Sequence, residues 1–128
     1  MTSFSHSTVP HVRVGPGLAG TLGDECAKLG VSRPLIVTDN GLVTLGLIEP
    51  IAGAISKQCA SLTIFDGVTA DPSEAVVEAA YTVARNNNVD GVIAVGGGSS
   101  MDVAKVVSVL MVGDRSLADM YGVDQVPP

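Results

Sequence analysis

The sequence predicts an α/β fold in which a mostly parallel sheet is flanked by helices. Apolar runs at 34–38, 61–68 and 92–95 have the composition of buried strands, and segments with helical spacing of apolar residues separate them. Strands that alternate with helices of about 10 to 15 residues are typical of βαβ units, whose strands run parallel. A third observation is the turn Gly96-Gly97-Gly98-Ser99, which joins the last strand to the last long helix.

The first half of the chain is predicted to contain one exposed strand, one buried strand and two helical segments. Apolar residues recur at helical spacing over 18–29, and Gly30 supplies a residue that ends this helix. Pro50 interrupts the second helical segment and is expected to open its second piece. The predicted elements are a partly exposed strand at 9–14 before a turn at 15–17, a helix at 18–29, a strand at 34–38 and one or two helices within 42–58.

The second half begins with a third strand, at 61–68, and continues into a helix with a clear start signal. Asp71 can cap that helix, Pro72 suits its first position and Glu74 falls at its third. The remaining predicted elements are the end of this helix at 86, a fourth strand at 92–95, a helix at 99–112 and a loop with at most one short turn at 119–128.

The composition predicts one domain and excludes several kinds of partner. Apolar residues make up 46% of the 128 residues, enough for a core, and charged residues make up only 16%. The net charge of −6 gives no electrostatic reason to bind nucleic acid or an anionic membrane. The first ten residues lack the apolar centre of a secretory leader, and no apolar run is long enough to span a bilayer. A cytoplasmic location is therefore expected.

The two cysteines, Cys26 and Cys59, lie in unrelated sequence contexts and form no C-x-x-C pair. We therefore expect two separate, reduced and buried thiols, as is usual in cytoplasmic proteins.

Two glycine-rich turns are candidates for a phosphate-binding loop. The first, at 15–20, matches G-x-G-x-x-G and has an aspartate, Asp39, downstream. The strand before it is polar at alternate residues, Pro16 lacks the N–H that a phosphate loop uses, and the motif alone is weak evidence. We expect these glycines to form only a tight turn into a helix.

The second candidate follows a strand that is apolar on both faces and is therefore expected to be central in the sheet. Gly96, Gly97 and Gly98 let the backbone turn sharply and leave no Cβ in the way of a ligand. Their N–H groups and those of the first helical turn form an anion site at the sheet edge where open α/β sheets bind ligands. Three glycines cost backbone entropy that a purely structural turn does not require. We therefore favour a diphosphate-binding role for this turn.

Four polar residues near this turn each allow a structural and a functional interpretation. Ser99 and Asp102 fit a capping box of the last helix, which does not exclude a contact between the Ser99 hydroxyl and a phosphate. Lys105 is expected to be a surface lysine rather than a phosphate ligand. Asp39 follows the second strand directly. Its carboxylate can accept both ribose hydroxyls of an adenosine and repel a 2′-phosphate, or it can simply form the turn that follows, and both interpretations remain open.

Residues 96–105 resemble the G-G-G-S-x-x-D-x-A-K signature of the iron-containing, or group III, alcohol dehydrogenases. Other segments are similar to the same family, in order and with the right spacing, over nearly the whole chain. They are 35–42, which resembles its second-strand segment, 65–72, which resembles its F-D-x-V-x-x-N-P stretch, and 121–122 with 127–128, which resemble the lead-in to its next strand.

The resemblance implies a Rossmann-like N-terminal domain of the dehydroquinate synthase-like type, which binds NAD and less readily NADP. The family's pyrophosphate-holding positions correspond to Gly96–Gly98 and Ser99, and its NAD-selecting acid corresponds to Asp39. Asp71 stands where the family usually has Asn, near the nicotinamide end of the cofactor. Asp102 is the acid of the signature itself.

The resemblance also implies a helical domain that is not expected within these 128 residues. In the family that domain supplies one Asp and three His to Fe²⁺ or Zn²⁺, whereas this chain has only His6 and His11, which are expected to be surface residues. Residues 1–128 are therefore expected to be the dinucleotide-binding domain alone, with no metal ligand and no catalytic residue.

Three functions remain after these observations. The chain is the NAD-binding domain of an enzyme that interconverts a small alcohol with its aldehyde or ketone, or a truncated, non-catalytic nucleotide-binding module, or a different nucleotide-handling α/β protein. The signature argues against the third. Because the helix at 99–112 is apolar on all sides, a homo-oligomer is also expected.

Overall fold

The computed structural model describes residues 11–113 and 116–121 of the chain. These residues form an alternating series of helices and strands. In order, the elements are a 3-10 helix at Leu18–Thr21, α1 at Leu22–Leu29, β1 at Pro34–Val37, α2 at Asn40–Thr44, α3 at Ile48–Ser56, β2 at Thr63–Phe65, α4 at Glu74–Asn86, β3 at Gly91–Ala94, α5 at Gly98–Val112 and a second 3-10 helix at Leu117–Met120.

β1 is the central strand of a parallel sheet with the order β2-β1-β3. Ile36 of β1 lies opposite Ile64 of β2 and Ile93 of β3, so both neighbours are in register with the middle of β1. All of β1 is buried, as expected for a strand that helices cover on both faces. The predicted α/β fold with a parallel sheet and flanking helices is confirmed.

Within residues 11–113 and 116–121 the strand before the glycine turn lies at an edge of the sheet, contrary to the prediction that it is central. β3 pairs with β1 along one side, and no strand among the described residues pairs with its other side. All of β3 is only half-buried, although none of its residues is polar. An apolar strand indicates that its two faces are covered, but it carries no information about whether both of its edges are hydrogen-bonded.

Helices pack on both faces of the sheet. Leu35 and Val37 contribute to a core that includes side chains of α4 and α5, whereas Ile36 contributes to the opposite core, with Ile48 and Ile55 of α3. This alternation is the period-two pattern of a strand with two buried faces. The three strands run parallel, so the turns that follow them lie at the same edge of the sheet.

Two predictions for the first half differ from the structure. Residues 11–14 form no strand, because no neighbour pairs with them and Val14 is 92% exposed; residues 9 and 10 lie outside the described part of the chain. The helical segment 42–58 divides at Gly46, which has a φ of 72°, and α3 begins at Ile48. Pro50 therefore lies within the first turn of α3, where a missing N–H breaks no helical hydrogen bond.

In the second half the order of elements is as predicted, and the boundaries move. The strand predicted at 61–68 is β2 and contains only three residues. α5 begins at Gly98, one residue earlier than predicted. The region predicted as a loop at 119–128 contains the end of the second 3-10 helix, while residues 122–128 lie outside the described part. No helix in the described ranges has the length and apolar character needed to cross a membrane.

Candidate functional site

The carboxyl ends of β1 and β3 lie side by side and carry two turns to the same edge of the sheet. β1 continues through Thr38 and Asp39 into α2, and β3 continues through Val95 and the glycines into α5. The Val95 N–H donates to the Val37 carbonyl oxygen at 3.0 Å, so the strand pairing extends to the residue before the glycine turn. Open parallel sheets bind ligands at this edge.

Gly96 makes the turn in a conformation that other residues rarely adopt. Its φ is 143°, and a Cβ built on it with ideal geometry would lie 2.8 Å from the Oγ of Ser100 and 3.5 Å from the Cδ1 of Leu42. Leu42 belongs to α2, so this contact also brings the glycine turn against the turn that contains Asp39. Glycine at position 96 is therefore required by the fold itself.

Gly97 and Gly98 differ from Gly96 because nothing surrounds them. Gly97 is the N-cap of α5 and Gly98 is its first residue, both are exposed, and a Cβ on either would have no heavy atom within 4 Å. The first N–H groups of a helix have no acceptor within the helix, and they carry the positive end of its dipole. The Cβ positions of Gly97 and Gly98 are open, so no side chain stands in the way of the pyrophosphate that the resemblance implies.

The capping box predicted for Ser99 and Asp102 is not formed. Because α5 starts at Gly98, Ser99 is the second helical residue and Asp102 the fifth, and the N-cap has no side-chain hydrogen bond. Asp102 is exposed and pairs with Lys105 at 3.4 Å. Two glycines can adopt the helix-start geometry without a side-chain cap, so the N-cap is Gly97, two residues before the serine that the pattern selected. Ser99 remains half-buried, in the first turn next to the glycines.

Asp39 has the turn-forming role that the sequence left open. It is the N-cap of α2, and its Oδ1 accepts a hydrogen bond from the Leu42 N–H at 3.0 Å. The carboxylate is half-buried at the end of β1. One N–H occupies only part of the hydrogen-bonding capacity of a carboxylate, so Asp39 can cap α2 and accept further hydrogen bonds at the same time.

Asp71 does not cap α4, contrary to prediction. The helix begins at Glu74, its N-cap is Ser73, and Asp71 lies before it with a φ of 47°. Aspartate tolerates this left-handed conformation better than most residues, so Asp71 forms the turn rather than the cap. Its side chain is exposed in the loop between β2 and α4.

At the start of α4, the Tyr121 hydroxyl donates to Glu74 Oε1, and the loss of that bond on ionisation raises the pKa of Tyr121.

The structure adds one polar group that sequence reasoning missed. Thr38 is fully buried between β1 and Asp39, and its Oγ1 has no hydrogen-bond partner among the described residues. The sequence placed Thr38 at the end of the strand, whereas β1 ends at Val37 and the Thr38 N–H still donates to the Phe65 carbonyl oxygen at 2.9 Å. Nothing in the pattern indicated an unpaired hydroxyl at this edge.

The described residues do not fit a catalytic metal. No three His, Cys, Asp or Glu side chains in residues 11–113 and 116–121 are grouped so that they could hold an ion. His11 is exposed, and His6 lies outside the described part of the chain. We therefore derive no chemical step through Fe²⁺ or Zn²⁺ from these residues.

A parallel sheet that delivers a glycine turn to a helix N-terminus at its carboxyl edge is the arrangement of a dinucleotide-binding α/β domain. The family model for iron-containing alcohol dehydrogenase matches residues 10–128 of the chain. The chain therefore belongs to the iron-containing alcohol dehydrogenase family, and the resemblance carried by residues 96–105 is confirmed.

Individual relatives agree with this assignment. The chain is 36% identical to 4-hydroxybutyrate dehydrogenase of Cupriavidus necator over 84% of its own length and 28% of the relative's. It is 31% identical to NAD-dependent methanol dehydrogenase of Bacillus methanolicus, over 88% of the chain and 30% of the relative. Its structure is similar to sulfoacetaldehyde reductase from Bifidobacterium kashiwanohense in complex with NAD⁺, with a TM-score of 0.84 and 27% identity over 97% of the chain and 32% of that structure. The chain thus spans about a third or less of the length of these relatives.

Proposed function

We propose that the chain is the NAD-binding domain of a metal-dependent alcohol dehydrogenase. The observation that carries the proposal is that the Cβ positions of Gly97 and Gly98 are open at the start of α5. The turn before them has a φ of 143° at Gly96, which only glycine readily adopts. Family membership and the likeness to a structure in complex with NAD⁺ support it.

Each residue of the site has a stated task in this proposal. The N–H groups of Gly97, Gly98 and Ser99 hold the pyrophosphate, and the Ser99 hydroxyl donates a further hydrogen bond to it. Asp39 accepts the ribose hydroxyls of the adenosine and disfavours NADP, because its charge repels a 2′-phosphate. Bound NAD accepts a hydride from an alcohol or, when reduced, returns one to an aldehyde or ketone.

The proposed contacts of the two other acids are less central. Asp71, in the loop before α4, lies near the nicotinamide half of the cofactor in this proposal. Asp102, one turn into α5, is a further cofactor-binding residue in this proposal, and its exposed carboxylate also pairs with Lys105 at 3.4 Å.

Residues 1–128 form only the cofactor domain in this proposal. In a metal-dependent dehydrogenase a Lewis acid polarises the carbonyl group that accepts the hydride, and we infer that Fe²⁺ or Zn²⁺ is held by a helical domain outside residues 1–128. The alternative is a non-catalytic nucleotide-binding module, which likewise needs no metal-binding group among residues 11–113 and 116–121. Both the proposal and the alternative predict that the purified chain holds no tightly bound iron or zinc. Elemental analysis measures this, and a stoichiometric metal ion would contradict both.

Calorimetric titration with NAD⁺ and NADP⁺ tests cofactor binding. The proposal predicts saturable binding that favours NAD⁺ and weakens by about tenfold or more in Gly97→Val, where the side chain occupies the cradle. Gly53→Val is the matched control, because Gly53 is also exposed with no atom near its Cβ position but lies in α3. Absence of binding in a cooperatively folded wild-type chain, or equal loss in both variants, would contradict the proposal.

We also infer that the chain self-associates through the outer edge of β3. Apolar cavities of about 240 and 210 Å³ flank that edge, one beside Leu29 and one beside Val112, which are 79% and 91% exposed. Open strand edges and exposed apolar groups promote association. Sedimentation of the wild-type chain should show an oligomer, and Val112→Lys should weaken it. Val14→Lys is the control, because Val14 is equally exposed but lines neither cavity, and this variant should leave the oligomer unchanged. A wild-type monomer would overturn this inference.

A reduced, cytoplasmic setting is our inference from the two cysteines, which are free thiols in the structure. The acidic balance of the chain supports the further expectation that nucleic acid is not a partner.

A further inference from the structure

Cys26 and Cys59 meet around the main chain of a single residue, Val31, although the sequence places them in unrelated contexts. Cys26 lies in α1, and its carbonyl oxygen accepts a hydrogen bond from the Val31 N–H at 2.9 Å. Cys59 lies in the turn after α3, and its Sγ donates to the Val31 carbonyl oxygen at 3.7 Å. Both cysteines are therefore held at fixed positions on the same residue.

The segments that carry the two cysteines are also in direct contact. Gln58 Nε2 donates to Asp24 Oδ1 at 3.2 Å, which joins α1 to the residue beside Cys59. Gly23 packs so closely on α3 that an ideal Cβ would lie 2.6 Å from the Ala54 carbonyl oxygen and 3.0 Å from Gln58 Cγ. The backbone around Cys26 and the backbone around Cys59 therefore have little freedom to separate.

The two thiols differ in accessibility and influence each other. Cys26 is 5% exposed, whereas Cys59 is half-buried and reaches solvent. Burial, and next to it the neighbouring thiol of Cys59, raise the pKa of Cys26 to about 11. This effect agrees with the hydrogen bonds that tie both residues to the main chain of Val31.

We propose that Cys26 and Cys59 form a thiol pair that closes to an intramolecular disulfide by exchange with a low-molecular-weight disulfide. The more exposed Cys59, as its thiolate, attacks one sulfur of the reagent. The reagent's S–S bond breaks, one reagent thiol leaves, and a mixed disulfide remains on Cys59. Cys26 then loses its proton and attacks the Cys59 sulfur, which releases the second reagent thiol. The two cysteines are oxidised by two electrons, and the reagent is reduced to two thiols.

The link would join the end of α1 to the turn after α3 and enclose β1, α2 and Asp39 in a covalent loop. A cross-link of this kind restricts the unfolded chain, so the oxidised protein is expected to unfold at a higher temperature than the reduced protein. The two cysteines are not residues of the proposed cofactor site; the glycine turn after β3 lies outside the loop, whereas Asp39 lies inside it.

The test is to treat the fully reduced chain with oxidised glutathione and to follow intact mass and peptide mapping. The expected product has lost two hydrogens, contains a Cys26–Cys59 peptide, and is a single chain. Below the pKa of Cys26, conversion of the mixed disulfide to this product should become about tenfold faster for each unit by which the pH is raised, because only the Cys26 thiolate attacks. Cys26→Ser should stop at a mixed disulfide on Cys59.

A matched control moves the second thiol by two residues. The double variant Cys59→Ser, Ser61→Cys has the same number of thiols, with the new one at an exposed position of the same turn. It should accumulate the mixed disulfide and close far more slowly than wild type. Three outcomes would overturn the proposal: wild type that stops at the mixed disulfide at all pH values, wild type that links different chains, or a control that closes as fast as wild type.

Discussion

Gly96 lies so close to Ser100 that a Cβ with ideal geometry on Gly96 would be 2.8 Å from the Ser100 Oγ. Ser100 is buried in the first turn of α5, so it cannot move aside without disturbing the start of that helix. The φ of 143° at Gly96 adds a second reason for glycine, because L-residues rarely adopt it. The turn that opens the candidate cofactor site is therefore determined by packing, independently of any ligand.

The first prediction separates the structural glycine from the binding glycine. Gly96→Ala should lower the free energy of unfolding by about 1–3 kcal/mol, because it combines a steric conflict with a strained backbone. Gly97→Ala should change it by less than about 1 kcal/mol, because Gly97 has a φ of −88° and open space around it. Urea denaturation of both variants measures the difference, and equal losses would show that the close packing at Gly96 is not real.

The second prediction concerns the two tasks of Asp39. Asp39→Asn should keep the cap of α2 and the fold, since asparagine caps helices as well as aspartate does, whereas Asp39→Ala should cost about 1 kcal/mol. Both variants lose the negative charge, so both should narrow the preference for NAD⁺ over NADP⁺ by about tenfold, or ~1.4 kcal/mol. Denaturation and paired cofactor titrations separate the effects. An unchanged preference in Asp39→Asn would remove Asp39 from cofactor selection.

The third prediction follows from the position of Asp71 in a turn. Asp71→Gly should leave stability within about 0.5 kcal/mol, because glycine accepts a φ of 47° without strain. Asp71→Val should lose about 1–2 kcal/mol, because a β-branched residue is poorly accommodated in the left-handed region. If Asp71 were a helix cap, the loss of stability in the valine variant would instead be accompanied by a loss of helical content in circular dichroism.

The fourth prediction concerns pH and the buried thiol of Cys26. Its pKa is raised to about 11 in the folded chain, so it ionises more readily when unfolded. Burial of the neutral Cys26 thiol therefore contributes fully to the free energy of unfolding below the ordinary thiol pKa. That contribution decreases by about 2–3 kcal/mol as the pH rises toward 11. Under reducing conditions the stability difference between wild type and Cys26→Ala should shrink between pH 8 and 11. A constant difference would contradict the shift.

The sequence predicted the central part of the fold because local patterns determine it. Residues 34–37 are apolar without interruption, and β1 is correspondingly buried on both faces. The edge position of β3 could not be predicted in the same way. Its pattern reports burial of faces, whereas its place in the sheet depends on which strands pair with it, and pairing is a tertiary property.

The candidate site shows the same division between local and tertiary information. The three glycines were found from sequence, but the pattern gave all of them one role, and only the packing of Ser100 separates Gly96 from its neighbours. The caps predicted at Asp71 and Ser99 failed because each helix began at a residue other than the one its motif selected. The proximity of Cys26 and Cys59 depends on the packing of α1 on α3, for which their sequence spacing gave no signal.

The most direct test of the proposed site is to follow the backbone amide signals of the ¹⁵N-labelled chain by NMR during titration with NAD⁺. The proposal predicts saturable shifts at Gly97, Gly98 and Ser99, with smaller shifts around Asp39, and their loss in Gly97→Val but not in Gly53→Val. Saturable shifts confined to another surface, or none at these amides in the folded chain, would contradict the assignment of the glycine turn as the cofactor site.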